Sequence, residues 1–418
     1  MKLIPTFLFL ALSFSMAQTL QVIASHSILA DVVANVTGDA AEVRSLMPVG
    51  ADPHSFIPRP SDLVGLARAD IIFINGAGFE EGLLEAIENA GSDMNIAVAS
   101  ACVEMLGFAD DHDEHDEHDD GEHDDHDEHE HDSAIAQRCE QFEQEMAALH
   151  GHDEHDDEYH DDHDEEDHSN DPDDHGDHGD EHEHDDHSDV HEHDEHEHGD
   201  YLEKLYTLEC DSHDHEGEPE GESEDDHADE GGHNHGACDP HVWLEPHNVM
   251  VWTMLIRDTL IELDAANADT YRANASQYLE TLDAFAHDVI EPLIESVSEE
   301  NRVLVTNHDA FGYFAAAYDF EVVETIIPGG STLAEPSAAD VARVIDLVRA
   351  RGVPAIFTET TVSDTISQQI ASETGAQVAV LYSGSLSDEE GPASTYLDYM
   401  RYNVSTIVNA LGGSQEAQ

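Results

Sequence analysis

The chain has 418 residues, with 97 acidic side chains, 13 basic side chains and 33 histidines, which gives a formal net charge of −84. Nucleic-acid binding depends on counterion release by Lys and Arg, so this charge argues strongly against a nucleic-acid partner. An anionic membrane surface is disfavoured for the same reason. The partners that such a chain attracts are cations.

The charge is concentrated in one internal segment, residues 109–235. That segment holds 57 acidic residues, two basic residues and 27 of the 33 histidines, for a net charge of −55, while the rest of the chain carries −29. We therefore expect an acidic globular protein interrupted by a disordered insert, because the insert cannot bury enough apolar surface to fold alone. Two stretches inside it, Ala134–His150 and Tyr201–Cys210, carry apolar residues at helical spacing and predict helices.

The N-terminus predicts a secretory signal peptide over residues 1–17. A positive charge at Lys2 precedes the apolar run Leu3–Phe14, and Ser15–Ala17 forms a small-x-small cleavage site. The run is too short to span a membrane, and no cysteine follows it to carry a lipid anchor. The mature protein is expected to be periplasmic or secreted, without direct membrane insertion.

Strands and helices alternate in the first part of the chain. This alternation predicts βαβ units and a parallel sheet, in a lobe that covers residues 18–267. The predicted strands are Leu20–Ala24, Glu42–Met47, Asp70–Asn75 and Asn95–Ala99, and the predicted helices are Ile28–Val36, Asp62–Ala69 and Gly78–Asn89.

A second lobe of the same kind is predicted over residues 302–418. Helical sequence begins at Val242, and a long amphipathic helix is expected from about Ala268 to Glu299, which places a connecting helix over residues 268–301. The fold class is therefore α/β, with two parallel-sheet lobes and a long helix between them. Beyond that helix the predicted strands are Arg302–Thr306, Ala355–Phe357 and Gln377–Leu381, and the predicted helices are Phe311–Tyr318, Ser337–Arg349 and Thr395–Leu411.

Four cysteines are typical of an oxidising compartment: Cys102, Cys139, Cys210 and Cys238. Three pairings are possible. A nested pairing, 102 with 238 and 139 with 210, would close the insert at its base and join the two helical stretches into a hairpin. Zinc thiolates are the alternative, but the sequence contains no CxxC spacing, and thiols outside the cytoplasm usually oxidise.

The composition of the insert favours metal binding, since imidazole suits Zn, Cu and Ni and carboxylate suits harder ions. The alternative is a solvated polyanion whose histidines are incidental. We expect many weak zinc sites there, because each would have to order a flexible segment. The sequence contains no His-Glu-x-x-His motif, which sets zinc-dependent proteolysis aside.

Three histidines outside the insert stand at the ends of predicted elements. His54 follows the second strand, His241 begins a helix, and His308 ends the strand that opens the second lobe. These are the positions where α/β folds place ligands, although spacing alone does not show that the three converge. Taken singly, such a histidine is more often a capping or hydrogen-bonded residue than a ligand. The remaining three are interpreted in that way: His26, His247 and His287.

Three motifs that occur in one order carry a family resemblance. They are Pro48…Gly50-x-x-Pro53-His54, Asp239-Pro240-His241-x-Trp243-Leu244 and Asn307-His308-x-Ala310-Phe311-x-Tyr313. In this order the chain resembles the ZnuA-like solute-binding proteins, the metal-binding receptors of ABC uptake transporters. The resemblance covers nearly everything outside the signal peptide and the insert. Zinc members of that family often carry a His-rich loop before the second ligand.

The resemblance implies a metal site in the cleft between the lobes. In that family a rigid helix joins two α/β lobes that clamp one metal ion. His54 and His241 would then be ligands from the first lobe, and His308 would be the ligand from the second.

The fourth ligand is where this sequence departs from the family. Many relatives have Asp in the stretch that corresponds to Tyr382–Leu386, and here Gly384 occupies that place. We place Glu359 in the site as the candidate, with water, Asp52 or Asp388 as alternatives.

Three neutral imidazoles with an open position suit Zn²⁺, whereas Mn²⁺ prefers more oxygen. Manganese-type members of the family have a carboxylate where this chain has His308. The resemblance thus implies a monomeric extracytoplasmic receptor that delivers Zn²⁺ to an ABC permease. A secreted metal buffer and a receptor for manganese or another divalent metal remain as alternatives. A zinc-dependent hydrolase is disfavoured, since no paired general base is evident.

Overall fold

The computed structural model describes residues 19–80, 82–83, 95–108, 133–150, 238–327, 332 and 334–413. Within these ranges the chain forms two sheets of four parallel strands each. The predicted signal peptide, most of the insert, the stretch Tyr201–Cys210 and most of the predicted helix Gly78–Asn89 lie outside them. The lobe boundaries drawn at residues 267 and 302 stay predictions.

The first sheet has the strand order β2-β1-β3-β4. Val22 of β1 pairs with Val43 on one side and with Ile71 on the other, so β1 is a central strand. All four residues of β3 are buried, as expected for a parallel strand covered on both faces. Its elements are β1 Leu20–Ala24, α1 Ser27–Thr37, β2 Ala41–Ser45, α2 Pro60–Leu66, β3 Ile71–Ile74 and β4 Ile96–Val98.

Between the two sheets in the sequence, the described residues form four helices: α3 Ser133–His150, α4 Pro246–Leu263, α5 Ala268–Phe285 and α6 Glu291–Glu295. A π-helical turn, Ala286–Ile290, links α5 to α6, so the helical rod runs from residue 268 to residue 295. Pro292 has no N–H to donate, and its ring clashes with the carbonyl four residues earlier, which accounts for a widened turn at this place. The rod ends four residues before the predicted Glu299, and none of the described helices is long and apolar enough to cross a membrane.

The second sheet has the strand order β6-β5-β7-β8. Its strands are β5 Val303–Thr306, β6 Glu321–Thr325, β7 Ala355–Glu359 and β8 Gln377–Leu381. The accompanying helices are α7 Gly312–Tyr318, α8 Ala338–Arg351, α9 Thr365–Thr374 and α10 Tyr396–Ala410. The prediction of two parallel-sheet α/β lobes is confirmed.

One hydrophobic core joins the two lobes. It extends from the first sheet through α4 and α5 to α10 and the second sheet, and Trp243, Trp252 and Tyr396 are fully buried in it. Two smaller clusters, around Ile72 and around Ile356, cover the other face of each sheet. The shared core holds both lobes against the same helices.

Two elements of the second lobe were not predicted, β6 and α9. β6 is an edge strand with acidic residues among its valines, and it is only partly buried, so it lacks the apolar run of the central strands. α9 is mostly polar and buries only Ser367, Ile370 and Ala371, which makes its apolar stripe too narrow to recognise. Helix α4 also begins later than the predicted Val242, because Val242–Leu244 forms a 3₁₀ turn first.

The predicted nested disulfides are wrong, because Cys102 is bonded to Cys139. Helix α3 packs back onto the first lobe, with Phe142 only 1% exposed. The guanidinium of Arg257 in α4 donates two hydrogen bonds to Glu145, with N–O distances of 2.5 and 3.1 Å. The nested pairing assumed that this helical stretch projects outward with the insert. Its packing instead brings Cys139 to the turn Ala99–Cys102, and Cys238 is also disulfide-bonded.

Replacing both Cys102 and Cys139 with Ser is expected to lower the free energy of unfolding by about 3–4 kcal/mol. The cross-link joins residues 37 positions apart and so removes chain entropy from the unfolded state. Urea unfolding monitored by circular dichroism measures the change. Peptide mapping under non-reducing conditions is the control for the linkage. A loss below about 1 kcal/mol would contradict the expected contribution.

Candidate metal centre

Three histidines from separate parts of the chain converge between the two sheets. The ring centroids of His54 and His241 are 5.7 Å apart, those of His54 and His308 are 5.5 Å apart, and those of His241 and His308 are 5.3 Å apart. One ligand nitrogen from each ring lies within 4.8 Å of the other two. The side chains are buried, with exposures of 8%, 0% and 2%. This arrangement is suited to three ligands around one cation.

The loop that follows β2 positions His54. Asp52 accepts a hydrogen bond from the backbone N–H of His54 at 3.1 Å, which is the local bond of an Asx turn. The other oxygen of Asp52 accepts bonds from the hydroxyls of Ser55 at 3.0 Å and Thr332 at 2.7 Å. Since Thr332 belongs to the second lobe, these bonds fix the His54 loop against that lobe.

A carboxylate two residues earlier in the chain orients His241. Oδ1 of Asp239 accepts the backbone N–H of His241 at 2.9 Å and lies 2.7 Å from its Nδ1. With Nδ1 protonated toward the carboxylate, Nε2 is the ring nitrogen that can bind a cation. Asn75, which follows β3, donates to the carbonyl of Pro240 at 3.0 Å and holds this segment in place. Burial raises the pKa of Asp239 to about 7, and positive charge entering the site favours its ionised form.

His308 follows β5 and is oriented by Glu359, the last residue of β7. Oε1 of Glu359 lies 2.6 Å from Nδ1 of His308, and both side chains are buried. Burial alone would raise the pKa of Glu359, but the adjacent His308 holds that pKa below its usual value. Burial alone would lower the pKa of His308, but Glu359 raises it. Nε2 of His308 is buried and has no hydrogen-bond partner within the described ranges.

Glu359 therefore lies beside a predicted ligand, in contact with its Nδ1. Its carboxylate is not among the ligand atoms that come within 4.8 Å of one another, and neither Asp52 nor Asp388 belongs to that group. Asp239 stands in the same relation to His241, a role that was not predicted from the sequence. The adjacent Asp-Pro-His sequence was the available signal, since an acidic residue two positions before a ligand can reach its Nδ1.

Gly384 packs against the loop that carries His54. A Cβ atom added at Gly384 would lie 2.7 Å from Cγ and 3.0 Å from Cδ of Pro53. A proline ring cannot move aside as the end of a flexible side chain can. The position is therefore closed to a side chain in this conformation, which fits the departure from the family pattern at this residue.

Hydrogen bonds close the seam between the lobes beside the three histidines. The hydroxyl of Ser385 accepts the backbone N–H of Gly50 at 2.8 Å and lies 3.2 Å from the hydroxyl of Ser27. The indole N–H of Trp243 donates to the carbonyl of Ser383 at 3.1 Å. Loops from the two lobes are thus in direct contact around the site.

An aromatic wall lies behind the histidines. The ring of Phe79 is 5.8 Å from that of His54, and the ring of Trp243 is 5.5 Å from that of His241. His26 packs behind both aromatic residues, at 5.1 Å from Phe79 and 5.0 Å from Trp243. Neither ring nitrogen of His26 has a hydrogen-bond partner among the described residues, and burial lowers its pKa to about 3.

Replacing His26 with Leu is expected to weaken the acid sensitivity of the fold. Burial lowers the pKa of His26 to about 3, whereas the unfolded chain protonates it near pH 6.5. Unfolding therefore takes up a proton at His26 between these values, so the contribution of His26 to the free energy of unfolding falls as the pH drops, by up to about 1.4 kcal/mol per pH unit. Urea unfolding of the metal-free proteins at pH 7, about 6 and about 5 tests this. The free energy of unfolding of the variant should rise relative to that of the wild type at each step down in pH. A difference between the two proteins that does not change with pH would contradict the low pKa of His26.

Solved structures share the two-lobe fold. The periplasmic zinc binding protein TroA from Treponema pallidum matches with a TM-score of 0.61 at 20% identity, covering 94% of this chain and 99% of that chain. A manganese-bound mutant of the periplasmic metal binding protein from Candidatus Liberibacter asiaticus matches with a TM-score of 0.59 at 22% identity and the same coverage. At these identities the likeness shows the fold alone.

Relatives in sequence are named for three different metals. The manganese-binding lipoprotein MntA of Halalkalibacterium halodurans is 24% identical over 393 residues, which are 94% of this chain and 88% of the relative. The iron-binding protein YfeA of Yersinia pestis is 38% identical over 178 residues, 42% of this chain and 56% of the relative. The zinc-binding protein AdcA of Streptococcus pyogenes is 34% identical over 180 residues, 43% of this chain and 34% of the relative.

The family model described as zinc-uptake complex component A, periplasmic, matches residues 22–410. This range contains both sheets except for the first two residues of β1, together with the helical rod and all three converging histidines. Together with the relatives named as substrate-binding proteins of metal ABC transporters, the match is decisive. The chain belongs to the ZnuA family of metal-binding solute-binding proteins.

Proposed function

We propose that this protein is an extracytoplasmic receptor that binds one Zn²⁺ ion through His54, His241 and His308 and delivers it to an ABC permease. The family is one of solute-binding receptors rather than enzymes. The observation that carries the proposal is the buried group of three imidazoles with ligand nitrogens within 4.8 Å of one another.

The chemistry of the donor atoms supports zinc as the cargo. All three candidate ligands are nitrogens, and no carboxylate joins them among the residues that the structure describes. In this proposal Asp239 and Glu359, which contact Nδ1 of their histidines, orient the ligands. Zinc favours a nitrogen-rich tetrahedral site, whereas manganese favours more oxygen. Water would complete the coordination at the open position.

The carboxylates of Asp239 and Glu359 would favour the binding of a positively charged ion. Each keeps its histidine in the tautomer with Nε2 unprotonated, and each brings negative charge close to the incoming cation. Because His308 lies in one lobe and the other two ligands in the other, a bound ion would hold the lobes together. Separation of the lobes at a permease would then remove a ligand and release the ion.

A second candidate is a receptor for manganese or iron with the same fold. MntA, which matches 94% of this chain, is named for manganese, and YfeA is named for iron. A secreted buffer without a transporter is a further alternative, which loading of a reconstituted permease would exclude. We also propose that the His-rich insert, most of which lies outside the described residues, concentrates zinc weakly near the receptor.

Replacing His54, His241 or His308 with Ala is expected to abolish tight zinc binding. Each change removes one of three nitrogens, which should weaken the site by well over tenfold. The full-length proteins are dialysed against a chelator buffer that fixes free zinc at a nanomolar level, so that weak sites in the insert stay empty. Bound metal is then measured by mass spectrometry.

The wild type should retain about one zinc ion under these conditions, and excess Mn²⁺ should not displace it. Asp388→Asn is the matched control, because Asp388 is outside the group of converging ligand atoms and should not affect retention. Retention of zinc by any of the three alanine variants would remove that residue from the ligand set. Displacement by Mn²⁺ would favour the manganese receptor.

Replacing Gly312 with Ala is expected to lower zinc affinity at least about tenfold, the range found when ligand-orienting contacts are lost. A Cβ atom there would lie 2.6 Å from Oδ2 of Asp239, so the carboxylate that orients His241 would have to move. Competition with a chelator of known affinity measures the change. Gly65→Ala is the control, since its nearest atom would be 3.8 Å away. Affinity within twofold of the wild type would contradict the role given to Asp239.

A further inference from the structure

We propose a second metal site, formed by His247, Asp283 and His287, that binds Zn²⁺ or a divalent ion of similar chemistry. His247 lies in the first turn of α4, Asp283 near the end of α5, and His287 in the π-helical turn. One ligand atom from each lies within 4.8 Å of the other two. The site shares no residue with the three histidines between the lobes.

The helical rod, residues 268–295, supplies two of the three ligands from one face. Asp283 and His287 are four residues apart, and Oδ1 of Asp283 lies 3.5 Å from Nε2 of His287. His247 approaches from α4, with its ring centroid 5.9 Å from that of His287. His287 lies in the π-helical turn, which begins at Ala286, so the backbone of this turn sets the direction of the His287 side chain. Such turns are frequent at functional sites.

Both histidines are held by a carboxylate on Nδ1. Oε1 of Glu245 lies 2.5 Å from Nδ1 of His247, and Oε1 of Glu291 lies 2.8 Å from Nδ1 of His287. This is the arrangement found at His241 and His308 in the interlobe site. A carboxylate on Nδ1 leaves Nε2 as the ligand atom and increases its basicity. These carboxylate contacts are an observation independent of the distances among the three ligand atoms, and they also indicate metal binding.

The site is open to a hydrated ion. The side chains of His247, Asp283 and His287 are 33%, 27% and 46% exposed. Three carboxylates, those of Asp283, Glu245 and Glu291, surround two imidazoles that are neutral when they bind metal. This local excess of negative charge attracts a divalent cation. Exchange with solvent requires no separation of the lobes.

Two nitrogens and one carboxylate oxygen, with the remaining positions open to water, suit zinc, copper or nickel better than magnesium, calcium or manganese. Partial exposure, and a carboxylate oxygen in place of one imidazole nitrogen, make this site weaker than the interlobe site for zinc. A bound ion would connect the start of α4 to the connecting rod. Since α4 begins five residues after His241, the ion would stabilise the base of the segment that carries that ligand.

Chemical modification of histidine in the full chain tests the site. The protein, with its interlobe site loaded, is treated with diethyl pyrocarbonate at increasing Zn²⁺, and modification of His247 and His287 is followed by peptide mass spectrometry. Zinc should protect both residues in the wild type. In Asp283→Asn, half-protection should require at least about tenfold more zinc, because one ligand is lost. Asp288→Asn, which removes an exposed carboxylate from the same helical turn, should behave as the wild type.

Equal modification with and without zinc, or unchanged protection in Asp283→Asn, would overturn the second site. His287→Gln provides an independent variant, and urea unfolding of each variant shows that it is folded. Zinc-soaked crystals of the full chain, measured at the zinc absorption edge, separate the two proposals. A peak between His54, His241 and His308 tests the receptor function, and a peak between His247, Asp283 and His287 tests this site. Either peak can be absent while the other is present.

Discussion

The rest of the structure depends on one constraint: three imidazoles are buried at one point between the two lobes, and their ring nitrogens need partners there. Each ring has two nitrogens, and an unpaired buried polar atom costs about 1–3 kcal/mol. Asp239 and Glu359 meet this requirement on the Nδ1 side of His241 and His308. Nε2 of His308 is left without a hydrogen-bond partner in the described part of the chain. A bound cation would supply an interaction that the described part of the chain does not provide.

Parallel topology brings these groups together. The carboxyl ends of parallel strands meet at one edge of a sheet, and ligands bind at that edge in α/β folds. His54 follows β2, Asn75 follows β3, His308 follows β5, and Glu359 ends β7. The two sheets face each other with these edges inward, so residues far apart in sequence become neighbours. The shared hydrophobic core then holds the two edges in place.

Alternating apolar strands and helices were sufficient to predict both lobes, because central parallel strands carry unmistakable apolar runs. The edge strand β6 and the polar helix α9 lack such a signal, since each buries only a narrow stripe. Family motifs indicated the three histidines, but they did not indicate which carboxylates contact those rings. Glu359 is 51 positions from His308, and only tertiary structure shows that it contacts Nδ1.

Local packing explains the remaining differences from prediction. Pairing of Cys102 with Cys139 depends on α3 folding back onto α4, a long-range contact that spacing cannot reveal. His247 and His287 were interpreted as hydrogen-bonded residues, and each does contact a glutamate. Their convergence depends on the π-helical turn, which shifts the register of the rod after Phe285. An ideal helix drawn from sequence does not contain that shift.

The aromatic wall gives the molecule a built-in optical signal. The chain contains two tryptophans, Trp243 and Trp252, and their rings lie 6.2 Å apart. Trp243 bonds to Ser383 across the seam between the lobes, and Trp252 bonds to Ser100 within the first lobe. All tryptophan fluorescence therefore originates beside the three histidines. Opening of the seam would admit water to the indole of Trp243 and shift its emission to longer wavelength, so lobe separation can be followed without an attached dye.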